Sequence, residues 1–110
     1  MNVANVVLAI ALLSSIGAHA RELEVSQKQK MFVQDDGPIR ELHVNVGDSV
    51  SFRNDDPFFH NIYSASQPAE FDLGSYPQGQ ARKVLFDKAG TVVVECAIHP
   101  NMKLRVEVGK

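Results

Sequence analysis

The chain has 110 residues, 45% of them hydrophobic, and its 11 Lys and Arg against 13 Asp and Glu give a formal net charge of −2. This length predicts a single domain with a small core. The charge balance provides neither the basic field that nucleic acid requires nor a polybasic segment for anionic membranes, so both kinds of partner are excluded.

The N-terminal segment is typical of an export signal. Val3 to Ile16 form an apolar run that is too short to span a bilayer, and Ala18 to Ala20 follow with the small-x-small pattern of signal-peptidase sites. No Lys or Arg precedes the run, which departs from the usual signal peptide, so an uncleaved anchor or a buried helix stands as the alternative. We expect 1–20 to be a signal peptide cleaved after Ala20, leaving 21–110 as a periplasmic domain without stable membrane association.

The rest of the chain consists of short apolar and β-branched runs between turn residues, which is typical of strands. We predict strands at Leu23–Val25, Met31–Val33, Ile39–Val46, Ser49–Asn54, Val84–Phe86, Thr91–Cys96 and Leu104–Val108, with one more near Phe71 in the irregular stretch 64–80. Seven to eight short strands indicate an all-β fold, a Greek-key β-sandwich. Because the chain has no phosphate loop, nucleophile elbow or helical metalloprotease motif, the prediction is that it is not an enzyme.

A metal-binding pattern stands near the C-terminus. Cys96, the only cysteine, is followed by His99 and Met102 on one short segment, and His60 lies well upstream. One thiolate, two imidazoles and a weak axial thioether are the donor set of a blue-copper electron-transfer centre. A lone thiol cannot form an internal disulfide in an exported domain, and metal ligation would explain it. We therefore predict one copper ion, cycling between Cu(I) and Cu(II), with His60, Cys96, His99 and Met102 as its ligands.

Each of these residues also has an ordinary interpretation when it is taken alone. Cys96 would be a buried inert thiol, His99 a surface histidine and Met102 a core side chain. It is their occurrence together that favours a metal site. His43 competes with His60 for the role of second imidazole, but it alternates with apolar neighbours and should face solvent. Met31 is assigned to the core.

Asn61 follows the candidate ligand His60 directly. Its side-chain amide is predicted to bond the backbone of the Cys96 segment and hold the two ligand segments in register, as groups around metal ligands do. The alternative is an ordinary turn or strand-edge asparagine.

The sequence resembles the cupredoxins, small periplasmic blue-copper proteins of the plastocyanin, pseudoazurin and amicyanin kind, over about Glu24 to Val108. The resemblance is carried by 46–56, 60–61, 86–91 and 96–102. The short Cys-x-x-His-x-x-Met segment is amicyanin-like, and residues 71–74 and 98–102 are similar to plastocyanin-like methylamine-utilization proteins. The resemblance implies that 21–110 is a cupredoxin domain in which His60, Cys96 and His99 are trigonal ligands and Met102 is the axial one. It also implies that Asn61 ties the ligand loops.

The chain departs from the family pattern in two places. Ile98 stands where proline often precedes the second histidine, and Val94-Glu95 replace the aromatic residues that commonly precede the cysteine. The first change can alter hydrogen bonding at sulfur and the second can alter the route of electrons, but neither removes a ligand.

The predicted function is that of a monomeric one-electron shuttle. Its partners would be redox proteins such as a c-type cytochrome, a dehydrogenase or an oxidase or reductase, docking transiently near His99. Pro57, Phe58, Phe59 and Pro100 are predicted to form an apolar collar around that histidine. The alternatives are a copper carrier or buffer with the same ligands, a Cys-His hydrolase, for which no oxyanion elbow is visible, and a structural zinc site, which rarely recruits methionine.

Overall fold

The computed structural model describes residues 19–35 and 37–110, so most of the predicted signal peptide, residues 1–18, lies outside the described residues. The described chain contains ten strands and no helix. The strands are β1 (Glu22–Lys28), β2 (Met31–Gln34), β3 (Gly37–Pro38), β4 (Glu41–Asn45), β5 (Ser49–Asn54), β6 (His60–Ser64), β7 (Phe71–Tyr76), β8 (Ala81–Leu85), β9 (Gly90–Cys96) and β10 (His99–Gly109). Over the same ranges, no helix is long and apolar enough to cross a membrane.

The strands form two five-stranded sheets. One sheet has the order β3-β2-β1-β5-β8 and the other has the order β4-β10-β9-β6-β7. The β1–β5 and β4–β10 pairs are parallel, and the remaining pairs are antiparallel. The predicted all-β sandwich is confirmed.

The core lies between the two sheets and is built by alternate residues of each strand. In β10, for example, buried and non-buried positions alternate from Met102 to Val108. Phe52 of β5 is fully buried, with its ring centroid 6.2 Å from that of Phe32 in an edge-on arrangement and 6.5 Å from that of Phe71. Burying one such side chain stabilises the fold by about 1.5–3 kcal/mol.

The structure differs from the predicted strands at the C-terminal end of the metal pattern. We expected a loop from Cys96 to Met102 and a strand only from Leu104, but β10 begins at His99, which pairs with Cys96. The register then shifts between His99 and Lys103, so the irregularity is contained within the strand. The segment between Cys96 and His99 is therefore a tight turn, and both candidate histidine ligands begin strands, His60 in β6 and His99 in β10. The total of ten also exceeds the predicted seven to eight, partly because β3 is a two-residue strand that leaves no periodic pattern.

Asp48 holds the start of β1 against the turn between β4 and β5. Its buried carboxylate accepts hydrogen bonds from the backbone N–H groups of Arg21 and Asn45, both at 2.8 Å, and from the Arg21 guanidinium at 2.9 Å. The bond from Asn45, followed by those from Arg21, holds the pKa of Asp48 below its ordinary value of 3.8. The ionised form is therefore favoured in the folded chain.

We expect Asp48→Asn to lower the melting temperature by several degrees at pH 7 and by less at pH 3. A carboxyl whose pKa is lower in the folded chain stabilises it above the pKa of the unfolded chain, and this contribution is lost as the pH falls through the folded pKa. Thermal melts monitored by circular dichroism across this range would measure the difference. Asp87→Asn, in an exposed turn, is the control, and an unchanged pH dependence in Asp48→Asn would contradict the assignment.

Candidate metal centre

Three of the predicted ligands converge at one end of the sandwich. The Sγ atom of Cys96 lies 3.5 Å from Nδ1 of His60 and 3.5 Å from Nδ1 of His99. The three candidate donor atoms all lie within 4.8 Å of one another. Bonds of about 2.3 Å to sulfur and about 2.0 Å to nitrogen at trigonal angles would place the donors about 3.7 Å apart. The arrangement can thus accommodate one small ion, and a thiolate with two imidazoles suits copper.

Strand ends position these donors. Cys96 is the last residue of β9, and it lies opposite Ile62 where β9 pairs with β6. His60 begins β6, and the next residue, Asn61, accepts a 2.9 Å backbone hydrogen bond from Ala97 N–H. The two ligand segments are therefore joined through the backbone, immediately beside Cys96.

The tie between the segments involves a different group of Asn61 from the one that we predicted. Its backbone carbonyl makes the link, whereas its side-chain Oδ1 is buried without a hydrogen-bond partner within 19–35 and 37–110. The position was thus identified correctly, but the side-chain bond that we expected from it is absent there.

Met102 lies in the core, with 2% of its surface exposed, three residues after His99 and within the irregular part of β10. Burial on the same segment is compatible with an axial thioether, and also with an ordinary core methionine. Its assignment as the fourth ligand stays a prediction.

Asp56 is a buried carboxylate behind His60, and the sequence analysis assigned it no role. The Nε2 atom of His60 lies 2.7 Å from Oδ2 of Asp56, and both side chains are almost fully buried. A hydrogen bond donated by Nε2–H leaves Nδ1 of the neutral ring without a proton, and Nδ1 is the atom that faces Cys96. Asp56 thereby orients the ring and favours the tautomer that can bind a metal.

The same carboxylate also holds the turn between β1 and β2. It accepts backbone N–H groups from Gln29 at 2.6 Å and Lys30 at 3.1 Å. Both residues have positive φ, 54° and 59°, which is unusual for residues other than glycine, and the two hydrogen bonds offset this strain. Burial raises the pKa of Asp56, but the bonds from His60 and from these backbone groups outweigh it and hold the pKa below its ordinary value.

Asn54 fixes the segment that leads into His60. Its Nδ2 donates to the carbonyls of Phe58 at 2.8 Å and Tyr76 at 2.9 Å, and its Oδ1 accepts the backbone N–H of Asp56 at 2.8 Å. Sequence reasoning missed both Asn54 and Asp56. The available signal was an acidic residue four positions before a candidate histidine ligand, because ligating histidines usually donate their other N–H to a carboxylate or carbonyl.

His99 is the candidate ligand that reaches the surface. Its imidazole is half-buried, with its centroid 5.3 Å from the ring of Phe58 and 5.0 Å from that of His60. Burial lowers the pKa of His99, and the neighbouring His60 and Lys30 side chains lower it further, which favours the neutral ring that a metal requires.

The residues of the predicted apolar collar are exposed, including Phe58 at 37% and Phe59 at 55%. Ile98, next to His99, is also exposed, at 54%. His43, in contrast, projects into solvent on β4 and contacts Glu41 at 2.7 Å, as its alternation predicts. It does not belong to the cluster of donors.

Several known proteins are similar to this chain in sequence or in fold. No protein-family model matches the chain. The chain is 34% identical to the methylamine utilization protein MauL of Methylorubrum extorquens, over 98% of this chain and 92% of that protein. A reduced amicyanin variant superposes with a TM-score of 0.69 at 26% identity, covering 86% of this chain and 88% of that one. A second variant, in a reduced Cu(I) form at pH 4, gives 0.68 at 26%, covering 86% and 87%.

A larger protein shares the fold as well. The Cu-containing nitrite reductase from Thermus scotoductus superposes with a TM-score of 0.70 at 25% identity over 81% of this chain. The chain spans only 22% of the length of that reductase.

We expect Asp56→Asn to weaken copper binding about 10–100-fold, as loss of such outer hydrogen bonds usually does. An amide NH₂ facing Nε2 favours the tautomer that carries its proton on Nδ1, which blocks the atom facing Cys96. Competition with a chromophoric Cu(I) chelator would measure the affinity. Asp55→Asn is the matched control, since Asp55 pairs with Arg53 on the exposed side. Equal affinities of the two variants would contradict a positioning role for Asp56.

Proposed function

The chain belongs to the cupredoxins, as a relative of the methylamine utilization protein MauL, and on this premise we propose that it is a periplasmic electron carrier with one copper ion. The observation that carries the proposal is the cluster of Cys96 Sγ with the Nδ1 atoms of His60 and His99 at 3.5 Å each. These three residues, together with the thioether of Met102, would hold the ion.

In the mechanism that we propose, the protein holds its metal-binding atoms in fixed positions. Copper, when bound, supplies a one-electron couple between Cu(I) and Cu(II). His60 is fixed by the Asp56 carboxylate, and Cys96 is fixed by strand pairing and by the Ala97–Asn61 backbone bond. Because these supports do not depend on the charge at the centre, little has to move when one electron enters from a donor or leaves to an acceptor. No proton or atom is transferred.

The burial of the proposed ligands favours a copper ion that stays bound over one that the protein delivers elsewhere. His60 is fully buried, and Cys96 and Met102 are each 2% exposed, so only His99 would be reached directly from outside. A carrier that delivers copper has to release these ligands, whereas an electron carrier needs only one ligand edge near the surface. The alternative, a copper carrier or buffer with the same ligands, would be indicated by a colourless protein that binds Cu(I) only.

The proposal extends to location and partners. Residues 1–20 would be a signal peptide cleaved after Ala20, and the monomeric domain 21–110 would act in the periplasm. A redox protein, such as a c-type cytochrome, a dehydrogenase or an oxidase or reductase, would dock transiently on the apolar collar around His99. The relative named for methylamine utilization suggests that pathway as one in which the partner could be sought.

We expect the Cu(II)-loaded protein to show intense visible charge-transfer absorption, and Cys96→Ser to abolish it, because the transition requires the thiolate. Optical and electron-paramagnetic-resonance spectra would test this expectation. His43→Ala should keep the colour, since His43 lies on the exposed face of β4. Persistence of the colour in Cys96→Ser would refute thiolate ligation, and its loss in His43→Ala would overturn the histidine assignment.

We expect Met102→Leu to retain a coloured site and to raise the reduction potential, because loss of a weak axial donor favours Cu(I). Protein-film voltammetry would measure the change. Our assignment of Met31 to the core is wrong, because its side chain is 39% exposed, so the same substitution there, Met31→Leu, should leave the potential unaltered. If Met102→Leu leaves both spectrum and potential unchanged, Met102 is a core residue and not a ligand.

A further inference from the structure

A cleft of about 900 Å³ opens on the flank of the sandwich beside the candidate metal centre. Four cationic side chains line it, and no acidic side chain does so among the residues described. The positive charge of these side chains is opposite in sign to the net charge of the whole chain, which is −2. The cations are Lys30, Arg40, Lys103 and Arg105, and we call this feature the cationic cleft.

The sheet topology explains where the cationic cleft lies. Strand β4 pairs with β10 only from Arg105 onward, so the first half of β10 has no neighbouring strand on that side. The space is bordered instead by Met31 and Pro38, from β2 and β3 of the other sheet. Met102 contributes to the lining as well, so the cleft reaches the segment that carries three of the assigned ligands.

The cations of the cleft are only partly compensated. Arg105 pairs closely with Glu107 at 2.6 Å, but Lys103 lies 3.9 Å from Glu95, at the limit of an ion pair. Neither Lys30 nor Arg40 forms a salt bridge within 19–35 and 37–110. Among the residues described, Lys30 and Arg40 therefore present positive charge to the cleft that no ion pair offsets.

The cationic cleft is continuous with the apolar collar. The Nζ atom of Lys30 lies 5.7 Å from the centroid of the Phe58 ring, and this ring lies 5.3 Å from that of His99. Phe58 of the collar therefore adjoins both His99 and the rim of the cleft.

We propose that the cationic cleft receives an acidic surface segment of the redox protein that docks on the apolar collar. This inference rests on the proposed function. All four cations are exposed and come from three separate chain segments, so they surround the cleft. Exposed and dispersed charges bind a small anion weakly, but they attract and orient a protein surface that carries several carboxylates.

The electrostatic contribution acts chiefly on association. Complementary charge raises the rate of encounter and suppresses wrong orientations, and salt screens it over about 10 Å at 0.1 M. The apolar collar acts only after contact. The cationic cleft would therefore select acidic partners over basic ones of the same redox chemistry.

A kinetic experiment can test this selection with a matched pair of redox probes. The probes are cytochrome c with its lysines succinylated, which is acidic, and the unmodified basic cytochrome c. One electron passes between copper and haem iron, and stopped-flow absorbance gives the second-order rate constant in the downhill direction. We expect Lys103→Glu and Arg40→Glu each to slow the reaction with the acidic probe about fivefold or more at low salt. The same variants should not slow the reaction with the basic probe.

Lys88→Glu is the matched control, because it makes the same charge change in the exposed turn between β8 and β9. Its effect should be below about twofold, and the differences should vanish at roughly 1 M salt. Equal slowing by Lys88→Glu and Lys103→Glu would reduce the effect to net charge and overturn the proposal. The visible spectrum of each variant reports separately on the copper centre.

A binding measurement keeps the inference independent of redox chemistry. Titration of the ¹⁵N-labelled protein with hexaglutamate should shift the backbone amides of Lys30, Arg40 and Lys103, and Lys103→Glu should reduce these shifts. Shifts confined to other surfaces would overturn the cleft assignment, as would equal shifts with inorganic phosphate at the same total charge. A colourless protein that still binds hexaglutamate would contradict the proposed function but not the assignment of the cleft.

Discussion

The hydrogen bond between Asp56 and His60 is the interaction on which the site end of the molecule depends. A buried carboxylate is costly unless its oxygens are satisfied, and here three donors satisfy it, namely His60 Nε2 and two backbone N–H groups. One donor begins β6 in one sheet, and the other two form the turn between β1 and β2 in the other sheet. A single side chain therefore joins the sheets, steadies an unusual turn and presents a bare Nδ1 towards Cys96.

Sequence periodicity predicted the features that repeat along the chain. His43 points outwards, as we predicted, because alternate residues of a strand share one face. The donors His99 and Cys96 were recognisable because a short turn keeps residues of close spacing together. These local rules predicted the fold class and placed two of the donors together, whereas the third donor, His60, comes from a distant segment.

The features that escaped prediction depend on contacts that no sequence period or motif signals. Asp56 binds the backbone of a turn that lies far away in sequence, and no period or motif signals such a pairing. The early start of β10 depends on a register shift after His99, which only the pairing with β9 reveals. At Asn61 the pattern identified the position, but whether the backbone or the side chain makes the tie depends on how closely β6 approaches β9.

The proposed docking surface has two parts, the apolar collar and the cationic cleft, and the forces that they exert act over different distances. Apolar contact stabilises only surfaces that touch, so it belongs close to His99, where an electron must cross the shortest gap. Charge acts over several ångströms of water, so the cationic cleft can lie to one side and still orient a partner. Lys30 connects the cleft with the candidate metal centre. Its side chain lines the cleft, and its backbone N–H is bound by Asp56. Since the same carboxylate also binds His60, the backbone of Lys30 and the proposed metal ligand share one support, and a partner oriented by the cleft would, on our proposal, also face the metal site.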